Sequence, residues 1–565
     1  RAARMGLVAL VATLAAALPL QPSAHAASKK RSSAPAQTSK AKNATPATIL
    51  IAQDGALQPL SEKAPRLGSE SAEAEFGRAL QALLKKSLRP GITALLVVDA
   101  KTGTPIFALR PDEAMNPASN VKMIATATAL SVLGTEHRFT TQLLAPANGT
   151  EPQRIKGDVY LLGSYDPTFD TDGLHALAER CKAQGITRID GNIVFGDSDR
   201  DGPYGARVPI DIVATARGKA PDIVPWPGLH DTVVINRAKT VRKGKPRIAV
   251  VQKRLADGTY QITVSGTIAA TERVTKTVAA GKRALFAGEW LRWELGQVGI
   301  EVTGSVAMEP LAHYVQRLAS QQQFAVTLAD RSSLTVGELV SKINKRSINW
   351  LADRLVAVAA GFAHNVPPAL ALGVAEMRVW LQAHAAIAPN SLTIDTGSGL
   401  SYRTKISPQQ LVTVIRDAAG FTADAPSFAP TWVQSLSVGG KDGTLARRFL
   451  APQFTNRIHA KTGTLSNVVA LSGLLLTNPE RPLAFALVTN KHAPAYKTQI
   501  RRAHEQVISA LTAYVVKRDG VAFIAPATVA APATVNATNG TDGSDDESSE
   551  PSSDTSEVPA ATVTP

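Results

Sequence analysis

Ser119 and Lys122 stand three residues apart in the segment Pro117-Ala118-Ser119-Asn120-Val121-Lys122-Met123-Ile124. On a helix, positions i and i+3 face the same way, so the lysine amine can lie near the serine hydroxyl. A free serine is a poor nucleophile, and a neutral amine beside it is one route to its activation. Lysine is neutral near pH 7 only if burial or a neighbouring positive charge lowers its pKa. The apolar Val121, Met123 and Ile124 and the positive end of a helix can both contribute. At such a helix start the Ser119 backbone N–H also remains free to hold an oxyanion. The pair therefore points to acyl transfer through a serine nucleophile.

Spacing alone does not select this pair, because Ser39-Lys40-Ala41-Lys42 has the same spacing in a polar stretch without helix signals. Two further elements do. Ser347-Ile348-Asn349 lies between helical segments, ahead of the apolar-periodic Leu351, Leu355 and Val358; Ile348 projects away if the flanking pair faces a site. Lys461-Thr462-Gly463-Thr464 leads into an apolar strand, where a glycine lets a substrate backbone approach closely. Lys101-Thr102-Gly103-Thr104 repeats it letter for letter, but in a hairpin turn where Thr-Gly is expected for turn geometry alone. The single cysteine, Cys181, excludes a disulfide framework and a multi-cysteine metal site, and beside helical Leu177 and Ala178 it reads as apolar filler. None of the ten histidines has metal-ligand spacing, so no metal and no cofactor is expected.

The elements that must position these residues follow from the apolar patterning. A helix over Glu73–Lys86 precedes an apolar strand, Ile92–Val98, a turn over 99–103 and a second strand from Pro105. Pro117 near its start and Gly134 after its end bound the nucleophile helix. From Phe139 the texture changes to short alternating segments separated by Gly, Pro and Asp, including 158–162, 189–195, 232–235, 248–251 and 260–264. Helices return over 335–360 and run to about Trp432. Two apolar strands, 468–476 and 483–489, and a closing helix, 495–513, finish the ordered part. The pattern predicts an α+β fold: one antiparallel sheet holding both chain ends, flanked by helices and interrupted by a β-rich insert. The boundaries read as 73–138 and 322–518 for the discontinuous domain and 139–321 for the insert. No internal repeat is apparent.

With 565 residues the chain is long enough for two or three domains, and 44% hydrophobic with 19% charged residues is ordinary for a globular protein. Arg1 and Arg4, the apolar run Gly6–Leu20 and Ala24-His25-Ala26 read as a signal peptide over 1–26, too short to span a bilayer. No cysteine is present there to carry a lipid. Residues 27–72 read as a flexible leader and 519–565 as a disordered tail, which from Ala525 holds seven acids and no Lys or Arg. The whole chain has a net charge of +15, so the residues before Ala525 carry +22, a surplus that favours an anionic envelope surface over nucleic acid as a partner.

Ser-x-x-Lys, Ser-x-Asn and Lys-Thr-Gly in this order are the signature of the penicillin-recognising serine enzymes, with isoleucine here in the middle motif where aspartate is usual. Met115–Lys122, Gly157–Leu161, Asp166-Pro167-Thr168, Asp395–Ser401 and Asp442–Leu445 extend the likeness. Over roughly 73–515 the chain resembles the D-alanyl-D-alanine carboxypeptidase/endopeptidase family, the class C low-molecular-weight penicillin-binding proteins. Where that family has Ser-Gly-Leu-Ser-Arg, this chain has Ser398-Gly399-Leu400-Ser401-Tyr402, with Arg403 one place later. The resemblance implies the penicillin-binding-protein/serine β-lactamase-like transpeptidase fold, with the large insert between the first two motifs. It implies a periplasmic enzyme acting on peptidoglycan stem peptides and acylated by β-lactam antibiotics. Ser119 would be the nucleophile, Lys122 the base and Ser347 a proton relay. Asn349, Lys461, Thr462, Gly463 and Thr464 would bind substrate, and Asp166 the charged end of a diaminopimelate side chain. A β-lactamase with the same motifs and a non-catalytic cell-wall scaffold are the alternatives.

Overall fold

The computed structural model describes residues 72–89, 91–196, 207–226, 229, 232–256, 259–280 and 283–520. The expected signal segment, the leader up to residue 71 and the tail from residue 521 lie outside the described residues. Among the described residues no helix is long and apolar enough to cross a membrane.

Helix α1 (Ala72–Lys86) leads into strands β1 (Ile92–Asp99) and β2 (Pro105–Leu109). At the turn between them the Asp99 carboxylate accepts from the Lys101 and Thr102 backbone N–H groups, and Gly103 takes a φ of 75°. The first Lys-Thr-Gly is thus a turn, with Lys101 exposed. Helix α2 (Val121–Leu133) follows, buried on every side from Val121 to Leu130. After the insert come α3 (Val336–Arg346), α4 (Asn349–His364), α5 (Leu370–Ala385), α6 (Pro408–Ala418) and α7 (Ala429–Ser435). Strands β3 (Ser437–Val438), β4 (Ile458–Leu465), β5 (Val468–Leu475) and β6 (Leu483–Asn490) and helix α8 (Lys497–Asp519) complete the domain. Helix α8 runs six residues beyond its expected end, so Asp519 is not tail: its carboxylate accepts from Asn478 and Arg481.

The sheet order is β3-β4-β5-β6-β1-β2, every pair antiparallel, so the last long strand β6 lies against the first. Its central strands are apolar at successive positions because both faces are covered. Leu95 and Val97 of β1, with Leu471 and Phe485, pack on Phe76 and Leu80 of α1 and on Val507 and Leu511 of α8. The alternate residues Ala94, Leu96 and Val98 face the helical core of α2 to α6.

The insert has its own core, including Leu177, Ile193, Ile210, Ile262, Phe286 and Leu291. Cys181 is buried in it, and burial pushes its thiol up to about 12. The insert extends further than expected. Strand Ala325–Ser332 pairs antiparallel with Thr140–Pro146, so the insert ends at Ser332 rather than residue 321. Chain entry and exit are joined, with the Ser333 N–H donating to the Phe139 carbonyl at 2.8 Å and the Phe139 N–H to Ser333 Oγ at 3.0 Å.

A short repeat that the linear sequence concealed organises one end of the insert. Arg154-Ile155-Lys156-Gly157-Asp158-Val159, Arg188-Ile189-Asp190-Gly191-Asn192-Ile193 and Glu301-Val302-Thr303-Gly304-Ser305-Val306 stack in parallel through their flanking strands. Their corner side chains form a ladder. The Asn192 N–H donates to Asp158 Oδ1 at 2.8 Å, and the Ser305 N–H to Asn192 Oδ1 at 2.9 Å. A Cβ on Gly191 would overlap the carbonyl of Gly157, and one on Gly304 the carbonyl of Gly191, so the layers close only with glycine at these two corners, while Gly157 takes a φ of 119°.

Candidate active site

Ser119 lies in a 3₁₀ turn, Ala118–Asn120, that feeds α2. The turn is one step ahead of the α-helix proper, rather than inside it as the sequence suggests. It is held from several sides. The Ala118 N–H donates to Asn116 Oδ1 and the Asn116 N–H to Asn490 Oδ1, each at 2.8 Å, and Asn120 Nδ2 donates to Ser472 Oγ at 3.0 Å. Ala118 takes a φ of 47°. A non-glycine residue in that region is strained, and such strain collects where a side chain must be aimed. Ser119 itself is half-buried and open to the cleft, whereas Lys122, one turn on, is fully enclosed.

Lys122 Nζ has three oxygens in reach: Ser119 Oγ at 3.0 Å, Asn349 Oδ1 at 2.7 Å and the Ser398 carbonyl at 2.6 Å. Burial in the apolar core lowers its pKa to about 7, against the opposing pull of the Asp353 carboxylate. An ammonium would donate to all three oxygens. A neutral amine keeps two N–H groups, matching the two acceptors that carry no hydrogen of their own, and turns its lone pair to the Ser119 hydroxyl. The site can therefore hold a neutral lysine as a base toward Ser119.

Ser347 and Asn349 sit at the junction of α3 and α4. Thr335 and Glu338 form a capping box at the start of α3, and Ser347 ends it in the left-handed region at φ 58° and ψ 39°. That residue turns the chain, Ile348 packs on the helical core as expected, and Asn349 begins α4. Lys461 Nζ donates to Ser347 Oγ at 2.9 Å and to the Thr462 carbonyl at 3.0 Å. Lys461 is fully buried and has no carboxylate partner among the described residues. Burial first, and then the Lys122 charge, hold its pKa well below the ordinary lysine range.

Strand β4 brings the third motif alongside. The Leu476 N–H donates to the Arg457 carbonyl, which fixes the alternation of the β4–β5 ladder. Residues 461 and 463 thus turn their backbone groups to β5, and 462 and 464 turn theirs to the other side. There β3 pairs only with Ala460 and His459, so the Thr464 N–H faces the uncovered cleft. The Thr462 hydroxyl donates to Thr444 Oγ1 at 2.9 Å. At Gly463 the packing of the protein itself calls for glycine. A Cβ there would lie 2.5 Å from the Pro117 carbonyl and 3.2 Å from the Ala118 Cβ. The protein's own nucleophile turn thus approaches the strand closely at this position.

The structure thus brings Ser119, Lys122, Ser347, Asn349, Lys461, Thr462, Gly463 and Thr464 together. Asp166 stands apart. Its carboxylate accepts from Arg331 Nη1 at 2.7 Å and from the Thr168 N–H and hydroxyl at 2.8 Å and 2.7 Å, and the side chain is 0% exposed. It closes a turn of the insert onto its last strand and leaves no face open to a ligand's ammonium group. Arg403 is directed to Asp395, with its side chain 83% exposed. Sequence reasoning missed the Ser398 carbonyl, Asp353, whose Oδ1 accepts from the Ser398 N–H at 2.7 Å, and Thr444. The spacing of Asp353 from Asn349, one helical turn, was an available signal for it.

Other proteins share this arrangement of chain. The model of the D-Ala-D-Ala carboxypeptidase 3 (S13) family matches residues 78–207 and 204–511. A D-alanyl-D-alanine carboxypeptidase of Actinomadura sp. (strain R39) is 29% identical over 462 residues, covering 74% of this chain and 81% of that protein. The D-alanyl-D-alanine carboxypeptidase DacB of Haemophilus influenzae is 24% identical over 408 residues, covering 67% and 81%. The crystal structure of penicillin binding protein 4 (dacB) from Haemophilus influenzae has the same fold, with a TM-score of 0.55 at 20% identity over 76% of this chain and 99% of that one. The chain belongs to the D-Ala-D-Ala carboxypeptidase 3 (S13) family.

Proposed function

We propose that the chain is an exported serine D,D-peptidase that cleaves D-Ala-D-Ala termini or D-alanyl cross-links of peptidoglycan through an acyl-enzyme on Ser119. The observation that carries this reading is the contact of an enclosed Lys122 amine, lowered to about 7, with Ser119 Oγ. Family membership supports the substrate class.

In the first step Ser119 Oγ forms a bond to the carbonyl carbon of the penultimate D-Ala as its proton passes to Lys122 Nζ. The oxyanion is held by the Ser119 and Thr464 N–H groups, a type of contact whose loss costs about 3 kcal/mol of barrier elsewhere. Collapse breaks the C–N bond. Ser347 Oγ accepts from Lys461, so its own hydrogen is available to the leaving amine, and the proton on Lys122 restores the balance. Asn349 holds the acyl amide. Lys461 and Thr462 receive the substrate carboxylate, which supplies the counter-charge that Lys461 lacks. Water then attacks the ester and releases the acid. β-Lactams would acylate the same serine; the Haemophilus influenzae penicillin binding protein 4, similar in fold, is also known in complex with a β-lactam.

The test is D-Ala release from a soluble peptide ending in D-Ala-D-Ala, with cross-linked muropeptides in parallel and products weighed by mass spectrometry. Release that is lost in Ser119→Ala supports the reading. Equal release by the variant contradicts it.

A further inference from the structure

Part of the insert carries a charged face that the catalytic reading does not use. Between residues 232 and 256 the chain holds eight Lys and Arg and no Asp or Glu, the nearest acids in sequence being Asp231 and Asp257 just outside. Strand Thr232–Val241 pairs in parallel, and Arg247–Arg254 antiparallel, with the central strand Tyr260–Ala269. The register fixes which side chains share a face. One face, with Ala238, Ile262, Val264 and Ile268, is buried in the insert core. The other presents exposed Arg237 and Lys239 on one edge and Arg247 and Lys253 on the other, flanking Thr263, Ser265 and Thr267. Two strand spacings separate these columns, about 10 Å.

At one end the face meets a shallow groove of about 530 Å³ lined by Arg217, Lys239, Thr240, Arg242 and Lys243. None of these cations makes an ion pair among the described residues, whereas Arg273 of the adjoining sheet is matched to Asp211. Repeated unpaired cations beside hydroxyls suit a polymer with repeated anionic groups. A lipid surface would call for bulky apolar side chains beside the cations, and stacked bases for aromatic ones. The sheet face carries no Leu, Met or aromatic side chain; its apolar ones include the short branched Val233, Ile235 and Val251, set among threonines and serine.

We infer that this face and its groove dock the peptidoglycan polymer through the free carboxylates of its stem peptides, apart from the Ser119 site. The inference rests on the substrate reading given above. Docking of this kind holds the enzyme on an insoluble substrate and raises the local concentration of cleavable peptide.

Co-sedimentation of the full chain with purified sacculi tests it, using K239Q/R242Q/K243Q and, as a charge-retaining control, K239R/K243R. The wild type should pellet in a salt-sensitive way. The glutamine variant should bind about tenfold more weakly and the arginine variant like the wild type, with unchanged D-Ala release from a soluble peptide. Undiminished pelleting of the glutamine variant would overturn the inference. So would equal binding to phosphatidylglycerol vesicles, or undiminished binding to sacculi whose carboxylates have been amidated. A chain that releases no D-Ala from soluble peptide, yet pellets in the expected pattern, would refute the catalytic reading and leave the docking surface standing.

Discussion

Lys122 is balanced between two influences that can be separated by substitution. Burial lowers its pKa to about 7, and the Asp353 charge raises it. In Asp353→Asn the remaining Oδ1 can still accept the Ser398 N–H, but the charge is gone. The pKa of Lys122 then falls further, the amine becomes neutral at lower pH, and the acid limb of the acylation rate moves below 7. Stopped-flow acylation by a chromogenic β-lactam across pH reads this; an upward shift contradicts it. Ser347 offers a second separation. At φ 58° a glycine is relieved of the Cβ penalty, so Ser347→Gly should be more stable than Ser347→Ala by about 1 kcal/mol in urea denaturation. Both should lose about 10²-fold or more in acylation if the hydroxyl relays the proton. The three motifs were legible because each is local in sequence. Asp353 and Ser398 act through contacts between distant segments, which spacing does not reveal. Asp166 reads the same in sequence whether its carboxylate is open or matched to Arg331, 165 residues away.

The elements follow the apolar patterning closely where burial is two-sided. β1, β5 and β6 are continuous apolar runs, and a sheet covered by helices on both faces is what such runs specify. Patterning failed where the signal was weak. Residues 321–335 contain no Gly or Pro, so nothing in the sequence marks the end of the insert at Ser332. The three stacked corners share only an apolar pair around one glycine and a small polar residue, separated by other structure, and were invisible as a repeat. They make a specific demand nonetheless. Gly191→Ala places a Cβ against the Gly157 backbone, which no side-chain rotation can relieve. The insert should lose about 1–3 kcal/mol, seen as a lower unfolding midpoint, with the rate of Ser119 acylation unchanged. A loss of acylation with no change in midpoint would show that the corner acts on the catalytic domain.

At the scale of the whole molecule, the insert is an excursion from a closed loop. Phe139 and Ser333 meet through two hydrogen bonds, and the two cores on either side of that junction are distinct. Replacing 140–332 by a short glycine linker should leave a folded domain that still reacts with penicillin, but no longer pellets with sacculi. Failure to fold would mean that the insert supports the sheet domain directly. The central claim, though, is that one enclosed lysine makes Ser119 the nucleophile. Intact-protein mass spectrometry after incubation with benzylpenicillin, followed by peptide mapping, addresses it most directly. A single penicilloyl adduct is expected on the peptide carrying Ser119, absent in Ser119→Ala and in Lys122→Ala. No adduct on the wild type, an adduct on another residue, or an undiminished adduct on Lys122→Ala would contradict it.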